Sequence, residues 1–173
     1  MKVDFNKIYF GVKFVVIASF VVLMAFLFWQ KGVVGAGISY DIAPLVGTKF
    51  VFGLYPEGRV EIVDNAWKLK YEPIYFKVYA PRKFKKAEIT LKYQNSMESD
   101  VFVGVKVKGN SAVPYYMQKI EKTLPGSWVE KTLEFDLAGA AFEKNKLQFI
   151  IAAPGIEQSK GSLIIENVKI QLL

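Results

Sequence analysis

Aromatic and basic side chains alternate with apolar ones in the segment Ile74–Ala80, and such a pattern can form a ligand-binding face. If Phe76 and Val78 point into a core, the residues between them point outward, because successive strand side chains alternate. A flat aromatic ring offers its π face to the C–H face of a sugar, and nearby polar groups take the sugar hydroxyls. Phe102 would join this face if its strand lies beside the first. The predicted ligand-binding residues are Tyr75, Lys77, Tyr79 and Phe102.

The aromatic residues also have other interpretations. Aromatic side chains make up 15% of the sequence. Tyr115, Tyr116 and Trp128 flank a predicted loop and add to the candidates. The tyrosines could instead fill the margins of a core. They could also form a protein interface, where tyrosine and tryptophan are enriched.

The sequence contains few residues that could carry out catalysis. The chain has 173 residues with no histidine and no cysteine, which excludes the usual Ser-His-Asp, Cys-His and zinc sites. Glu134 and Asp136 share one face of a predicted strand, and paired carboxylates can hydrolyse glycosides. Acids that alternate with apolar residues are, however, also what a solvated strand face shows. With no glycine-rich phosphate loop either, we expect a protein that is not an enzyme and holds no cofactor.

Strand-like alternation dominates the chain after residue 40, and no segment there has a sustained helical period. About nine short strands separated by Pro, Gly and Asn turns predict an all-β, antiparallel β-sandwich of the jelly-roll kind. The predicted strands are Lys49–Gly53, Arg59–Val63, Ile74–Ala80, Ala87–Tyr93, Val101–Lys108, Gln118–Thr123, Val129–Leu137, Leu147–Ala153 and Leu163–Leu172.

The alternation also assigns strand faces. Every second residue of Ala87–Tyr93 and of Val101–Lys108 is apolar, and so are Leu133, Phe135 and Leu137 within Val129–Leu137. This pattern predicts three stripes that face the core. Leu147–Ala153 is apolar on both faces except at Gln148, so it is predicted to be a central, covered strand.

An apolar run near the amino end predicts one transmembrane helix ahead of this domain. Phe14 to Trp29 carries no charge, and extension back to Ile8 approaches the roughly 20 residues that a bilayer requires. A cleaved signal peptide is the main alternative, because Val34-Gly35-Ala36 offers small residues for a peptidase. A buried helix is a further alternative.

The predicted divisions are a cytoplasmic amino end with its transmembrane helix (1–30), a flexible glycine-rich linker (31–39) and an extracytoplasmic β-sandwich (40–173). Lys2, Lys7 and Lys13 precede the apolar run, and only Lys31 follows it before Asp41. The positive-inside rule therefore predicts a cytoplasmic amino end and an exported carboxy-terminal domain.

The formal net charge is +7, and its densest patch is Arg82 to Lys86. Such a patch could touch anionic lipid, an acidic polymer or nucleic acid, or it could be a solvated loop between strands. Because an exported domain rarely meets nucleic acid, no nucleic-acid partner is expected.

The carboxy-terminal portion resembles galactose-binding-like jelly rolls, the fold of many carbohydrate-binding modules. The residues that carry this resemblance are Trp128, Leu133–Leu137, Leu147–Ile151 and Gly161–Ile170, which cover roughly the last 50 residues. The resemblance implies the fold and leaves the function open, because one fold hosts many activities.

Many members of that family hold a structural calcium with an acid near the last strand, and Glu166 matches that acid by position. The family's other ligands find no match here, and calcium prefers six to eight oxygens. Alternatively, Glu166 and Asn167 mark a bulge or a polar edge of the last strand.

Together these patterns predict a membrane-anchored, extracytoplasmic, non-catalytic domain that binds carbohydrate or another cell-envelope polymer. The alternative is a structural or adaptor subunit that binds a membrane or surface protein through its sandwich. The lipid bilayer is the expected partner of the amino-terminal helix.

Overall fold

The computed structural model describes residues 13, 15–27, 37–44, 51–109 and 114–173. The chain divides into two compact units, residues 1–36 and 37–173. In the first unit residues 15–27 are α-helical, and their side chains are exposed. Among the residues described, no helix combines the length and the apolar character needed to cross a bilayer. Most of the predicted anchor and linker, including Lys2, Lys7 and Trp29, lies outside the described residues.

The second unit contains twelve strands in its described part. They are β1 (Ile38–Ile42), β2 (Val51–Tyr55), β3 (Val60–Val63), β4 (Ala66–Leu69), β5 (Ile74–Tyr79), β6 (Lys86–Asn95), β7 (Val101–Lys106), β8 (Tyr115–Ile120), β9 (Val129–Asp136), β10 (Phe142–Glu143), β11 (Lys146–Ala152) and β12 (Leu163–Leu172). A single 3-10 turn, Ile156–Gln158, interrupts the connection from β11 to β12.

These strands form two six-stranded sheets. The first has the order β3-β4-β12-β6-β9, and β1 pairs with β12 beside β4. The second has the order β2-β5-β11-β7-β8, and β10 pairs with β11. Every strand pair described is antiparallel. The predicted all-β, antiparallel β-sandwich is therefore confirmed.

The core lies between the two sheets and is built by strand alternation. The predicted stripes of β6, β7 and β9 face inward, and residues such as Ile89, Val103 and Phe135 are fully buried. Phe76 of β5 stacks on Phe149 of β11 with ring centroids 5.4 Å apart. As predicted, β11 is a central strand, with β5 on one side and β7 on the other.

Several predicted boundaries differ from the structure. β8 begins at Tyr115, three residues before the predicted Gln118, so Tyr115 and Tyr116 belong to a strand and not to a loop. β1 begins at Ile38, inside the predicted linker. β7 ends at Lys106, and Val107 makes only an isolated bridge to Ala140.

The prediction missed strand β4, which forms a hairpin with β3. Asp64 and Asn65 both have positive φ, 51° and 61°. This is the backbone of a two-residue type I′ turn, whose twist matches that of the strands it joins.

Candidate functional site

The outer face of the second sheet carries a group of tyrosines. β5 turns Tyr75, Lys77 and Tyr79 to this face because Phe76 and Val78 occupy the core on the other side. The outward residues of β5 are half-buried, while the inward ones are buried.

Three tyrosines from three strands approach one another on this face. The ring centroids of Tyr55 and Tyr75 are 5.5 Å apart, with an interplanar angle of 30°. The centroids of Tyr75 and Tyr115 are 6.1 Å apart, with an angle of 32°. We call Tyr55, Tyr75 and Tyr115 the tyrosine platform. Its neighbouring rings are tilted by 30° and 32° against one another, so the three side chains form one connected aromatic group.

Two of the platform tyrosines come from strands that are not neighbours in the sheet. β11 and β7 lie between β5 and β8, so about 14 Å separates the outer two backbones at roughly 4.8 Å per strand. The rings of Tyr75 and Tyr115 can therefore meet only by leaning toward each other across Ile150 and Gly104. Ile150 is paired with both Tyr75 and Gly104, and it is only 5% exposed although it faces outward.

Polar groups surround the platform. The Gln148 side-chain amide donates a hydrogen bond of 2.7 Å to the Tyr115 hydroxyl. Lys77 Nζ lies 5.5 Å from the centroid of the Tyr55 ring. Lys106 and Glu143 form an ion pair of 2.6 Å nearby. The surface thus combines flat rings with hydrogen-bonding groups at its margin.

Burial disfavours the ionised form of Tyr55 and of Tyr115. It raises the pKa of Tyr55 to about 12, with a further contribution from Tyr115 and Tyr75 beside it. Burial likewise raises the pKa of Tyr115. The Tyr55 hydroxyl is buried and has no hydrogen-bond partner among the described residues.

Glu143 stays ionised at the margin of the platform. The hydrogen bond from Lys106 lowers the pKa of its carboxyl group, and the charges of Lys106 and Lys77 lower it further. The margin therefore holds a fixed carboxylate between two cations.

The structure groups only part of the predicted ligand-binding set. Tyr75 is the centre of the platform, and Lys77 lies against it. Tyr79 shares their face near the end of β5, and its carbonyl accepts a hydrogen bond from the Tyr40 hydroxyl. Phe102 does not lie on a strand next to β5, because β11 intervenes. It pairs with Ala152, whereas Tyr75 pairs with Ile150, so the residue across from Tyr75 is Gly104 and not Phe102.

Sequence reasoning missed Tyr55 as a site residue and left Tyr115 as one of several loop aromatics. Tyr55 follows the predicted end of its strand at Gly53, and Tyr115 precedes the predicted start of the next at Gln118. A signal for Tyr115 exists in the chain: Tyr115, Met117 and Lys119 alternate with Tyr116 and Gln118. Tyr116 points the other way from Tyr115 and packs edge-on against Phe135, with centroids 5.9 Å apart.

Glu166 lies on the outer face of the first sheet. Its two carboxylate oxygens lie 2.9 and 2.7 Å from Lys92 Nζ. The register of β12 against β6 shifts between Ile165 and Asn167, so Glu166 sits at a bulge. Within the described ranges, no three Asp or Glu side chains gather as a metal-binding group. Calcium binding by Glu166 stays a prediction.

Glu134 and Asp136, the acid pair of the predicted strand, also have partners in the structure. Glu134 forms an ion pair of 2.8 Å with Lys86. One carboxylate oxygen of Asp136 accepts a hydrogen bond from the Ala138 amide at 2.8 Å. Both residues lie on β9 in the first sheet, whereas the tyrosine platform lies on the second.

This chain resembles known proteins in its three-dimensional structure but not in its sequence. No family model matches the sequence, and no curated protein sequence matches it significantly. The xylan-binding module CBM15 superposes with a TM-score of 0.50 at 14% identity, covering 79% of this chain and 97% of that one.

Two further solved structures are similar to a lesser degree. A mutant of CBM29-2, a family 29 carbohydrate binding module, gives a TM-score of 0.47 at 16% identity, over 79% of this chain and 86% of that one. The second N-terminal cellulose-binding domain of a β-1,4-glucanase from Cellulomonas fimi gives 0.45 at 11% identity, over 69% and 83%. At these identities the likeness concerns the fold, and the chain shares the β-sandwich of the xylan-binding module.

Proposed function

We propose that this chain is a non-catalytic binding protein for carbohydrate or another cell-envelope polymer, and that the tyrosine platform is its ligand-binding surface. The observation that carries the proposal is the convergence of three tyrosine rings from β2, β5 and β8 on one outer face. Aromatic rings can stack on the C–H faces of sugar units.

The polar margin supports the same ligand class. A sugar presents hydroxyls that both donate and accept hydrogen bonds. The Gln148 amide keeps a carbonyl oxygen that can accept a hydrogen bond, and the Lys77 ammonium group beside the Tyr55 ring can donate one.

We also propose that residues 1–30 anchor the protein in a membrane and that residues 40–173 lie outside the cytoplasm. The uncharged run from Phe14 to Trp29 and the lysines before it support this arrangement. The exposed apolar side chains of residues 15–27 agree with it, because such side chains favour a lipid environment.

The test of the platform is the binding of a 37–173 fragment to an array of envelope polysaccharides, before and after single substitutions. Tyr75→Ala, Tyr79→Ala and Tyr115→Ala each remove one ring from this face. If the rings stack on sugars, losing a central one should weaken binding about tenfold, roughly 1.4 kcal/mol. We expect Tyr75→Ala and Tyr115→Ala to have the larger effects.

Tyr71→Ala is the matched control, because Tyr71 is 49% exposed and lies outside the platform. It should leave binding unchanged. Melting temperatures separate loss of contact from loss of fold. If folded Tyr75→Ala and Tyr115→Ala variants bind every polysaccharide as well as wild type does, the platform is not the site.

An adaptor role is the second candidate, and a different surface favours it. Leu124, Trp128 and Val129 are 76%, 42% and 37% exposed and follow one another closely around the β8–β9 connection. Adjacent exposed apolar residues mark many protein interfaces. Chemical cross-linking in cells tests this role by looking for a protein partner of the wild-type chain. The adaptor role is favoured if the Trp128→Ala variant loses that partner and the Tyr75→Ala variant keeps it.

A further inference from the structure

One end of the sandwich contains a recess with a strongly uneven charge. Its volume is about 420 Å³, within the range of small-ligand pockets. Lys83 and Lys85 reach it from the β5–β6 connection, and Lys108 reaches it from beyond the end of β7. We call this cavity the lysine recess.

The three lysines are exposed. In the described part of the chain, none of their ammonium groups makes an ion pair or a side-chain hydrogen bond. Their neighbour Lys86 differs, since it pairs with Glu88 and Glu134 at 3.1 and 2.8 Å. The one acid lining the recess is Asp136, which already accepts the Ala138 amide. Three positive charges therefore face one negative charge.

The floor of the recess is apolar. Leu137 and Ala140 are buried, and Phe142 is half-buried beside them. A sugar ring has an apolar C–H face, and a uronic acid adds one carboxylate at its edge. Such a unit matches a concave apolar floor with cations at its rim. A flat layer of lipid headgroups would meet only the rim.

We propose that the lysine recess binds the carboxylate-bearing sugar units of an acidic polysaccharide. It extends the proposed glycan-binding function by naming an acidic class of ligand. It uses none of the residues of the tyrosine platform, so either site can fail while the other stands.

The test measures binding of the full chain, held in a neutral detergent, to polygalacturonate and to alginate. The fully methyl-esterified form of polygalacturonate serves as the uncharged comparison. The triple variant Lys83→Gln, Lys85→Gln and Lys108→Gln should bind the acidic polymers at least about tenfold more weakly, because charged hydrogen bonds are lost. Added salt should also weaken binding of the wild-type chain to the acidic polymers, because it screens the attraction between lysines and carboxylates.

A matched triple variant removes the same charge elsewhere. It carries Lys68→Gln, Lys122→Gln and Lys160→Gln, all at exposed positions outside the recess, and it should bind like wild type. The Tyr75→Ala variant should still bind the acidic polymer more tightly than its methyl ester. That result separates the recess from the tyrosine platform.

Four results would overturn the proposal. The first is binding by the recess variant at wild-type strength. The second is equal binding of the acidic polymer and its methyl ester, and the third is no binding of either acidic polymer. The fourth is a response only to micelles containing phosphatidylglycerol, which would assign the lysines to a lipid surface.

Discussion

Gly104 allows β7 and β8, the strand that carries Tyr115, to lie close together at this point. A Cβ atom at this position would lie 2.6 Å from Met117 Sδ, 2.9 Å from the Tyr116 carbonyl oxygen and 3.1 Å from Ile150 Cγ2. The methionine can move, but the carbonyl belongs to the β7–β8 ladder. Even one methyl group must therefore displace the strand that carries Tyr115.

Gly104→Ala should destabilise the domain by about 1–3 kcal/mol, the usual cost of overpacking. It should also weaken polysaccharide binding, because Tyr115 shifts with its strand. Urea unfolding and the polysaccharide array measure the two effects. Gly139→Ala is the control, since a Cβ there meets nothing within 4 Å. A Gly104→Ala variant as stable as Gly139→Ala would contradict this account of the platform.

The Tyr55 hydroxyl makes stability depend on alkaline pH. An unfolded tyrosine ionises near pH 10, whereas burial raises the pKa of folded Tyr55 to about 12. Between these values the unfolded state loses its proton first. The contribution to stability is therefore complete below pH 10 and is lost as the pH rises toward 12.

Tyr55→Phe should reduce the steepness with which the free energy of unfolding falls between pH 10 and 12. At neutral pH the same change should leave stability unchanged or slightly raised, because the hydroxyl is buried without a described partner. Urea unfolding at several pH values measures both, with Tyr71→Phe as the matched control. A clear loss of stability at neutral pH would mean that the hydroxyl has a partner.

Among the elements, alternation in sequence identified the long strands and failed on the short ones. The faces of β6 and β9 follow directly from their period-two pattern, because every second residue of 87–93 and of 133–137 is apolar. β4 was missed because its four residues include the charged Lys68 and are too few to show a period. The pair Asp64-Asn65 was the available signal for its hairpin, since both residue types tolerate positive φ.

Because β9 turns Phe135 into the core, substitution of this residue should cost much more folding stability than substitution of an exposed apolar residue. Phe135 is fully buried, so Phe135→Ala should cost about 3–5 kcal/mol through lost contacts and a cavity. Leu124→Ala changes a side chain that is 76% exposed, and it should cost less than about 0.5 kcal/mol. Urea unfolding of the 37–173 fragment measures both. A cost below about 1 kcal/mol for Phe135→Ala would show that its ring is not needed in the core.

For the molecule as a whole, the sequence predicted the sandwich better than the site. A sandwich follows from many strands, and errors of a few residues at their ends do not change it. The platform depends on strand order, because Tyr55, Tyr75 and Tyr115 come together only when β2 and β8 flank the β5-β11-β7 unit. No local pattern encodes that order, so Phe102 was grouped with Tyr75 and Tyr55 was missed.

The proposed arrangement across the membrane has a direct test. Protease added to intact spheroplasts should digest residues 40–173, because the lysines at the amino end favour the cytoplasmic side. A cytoplasmic marker protein in the same sample should survive. If the domain is protected until the cells are lysed, the orientation is reversed.

The pairing of β1 with β12 brings the start of the sandwich beside its end. Ile38 is paired with Leu172, and a Cβ on Gly37 would lie 2.8 Å from Leu173 Cδ2. A short peptide could therefore join residue 173 to residue 37, and new ends could be opened in the exposed turn at Pro125-Gly126. Such a circular permutant would retain every strand pair. The sandwich could equally be inserted into a loop of a host protein, held at two adjacent points with its tyrosine face in a fixed direction.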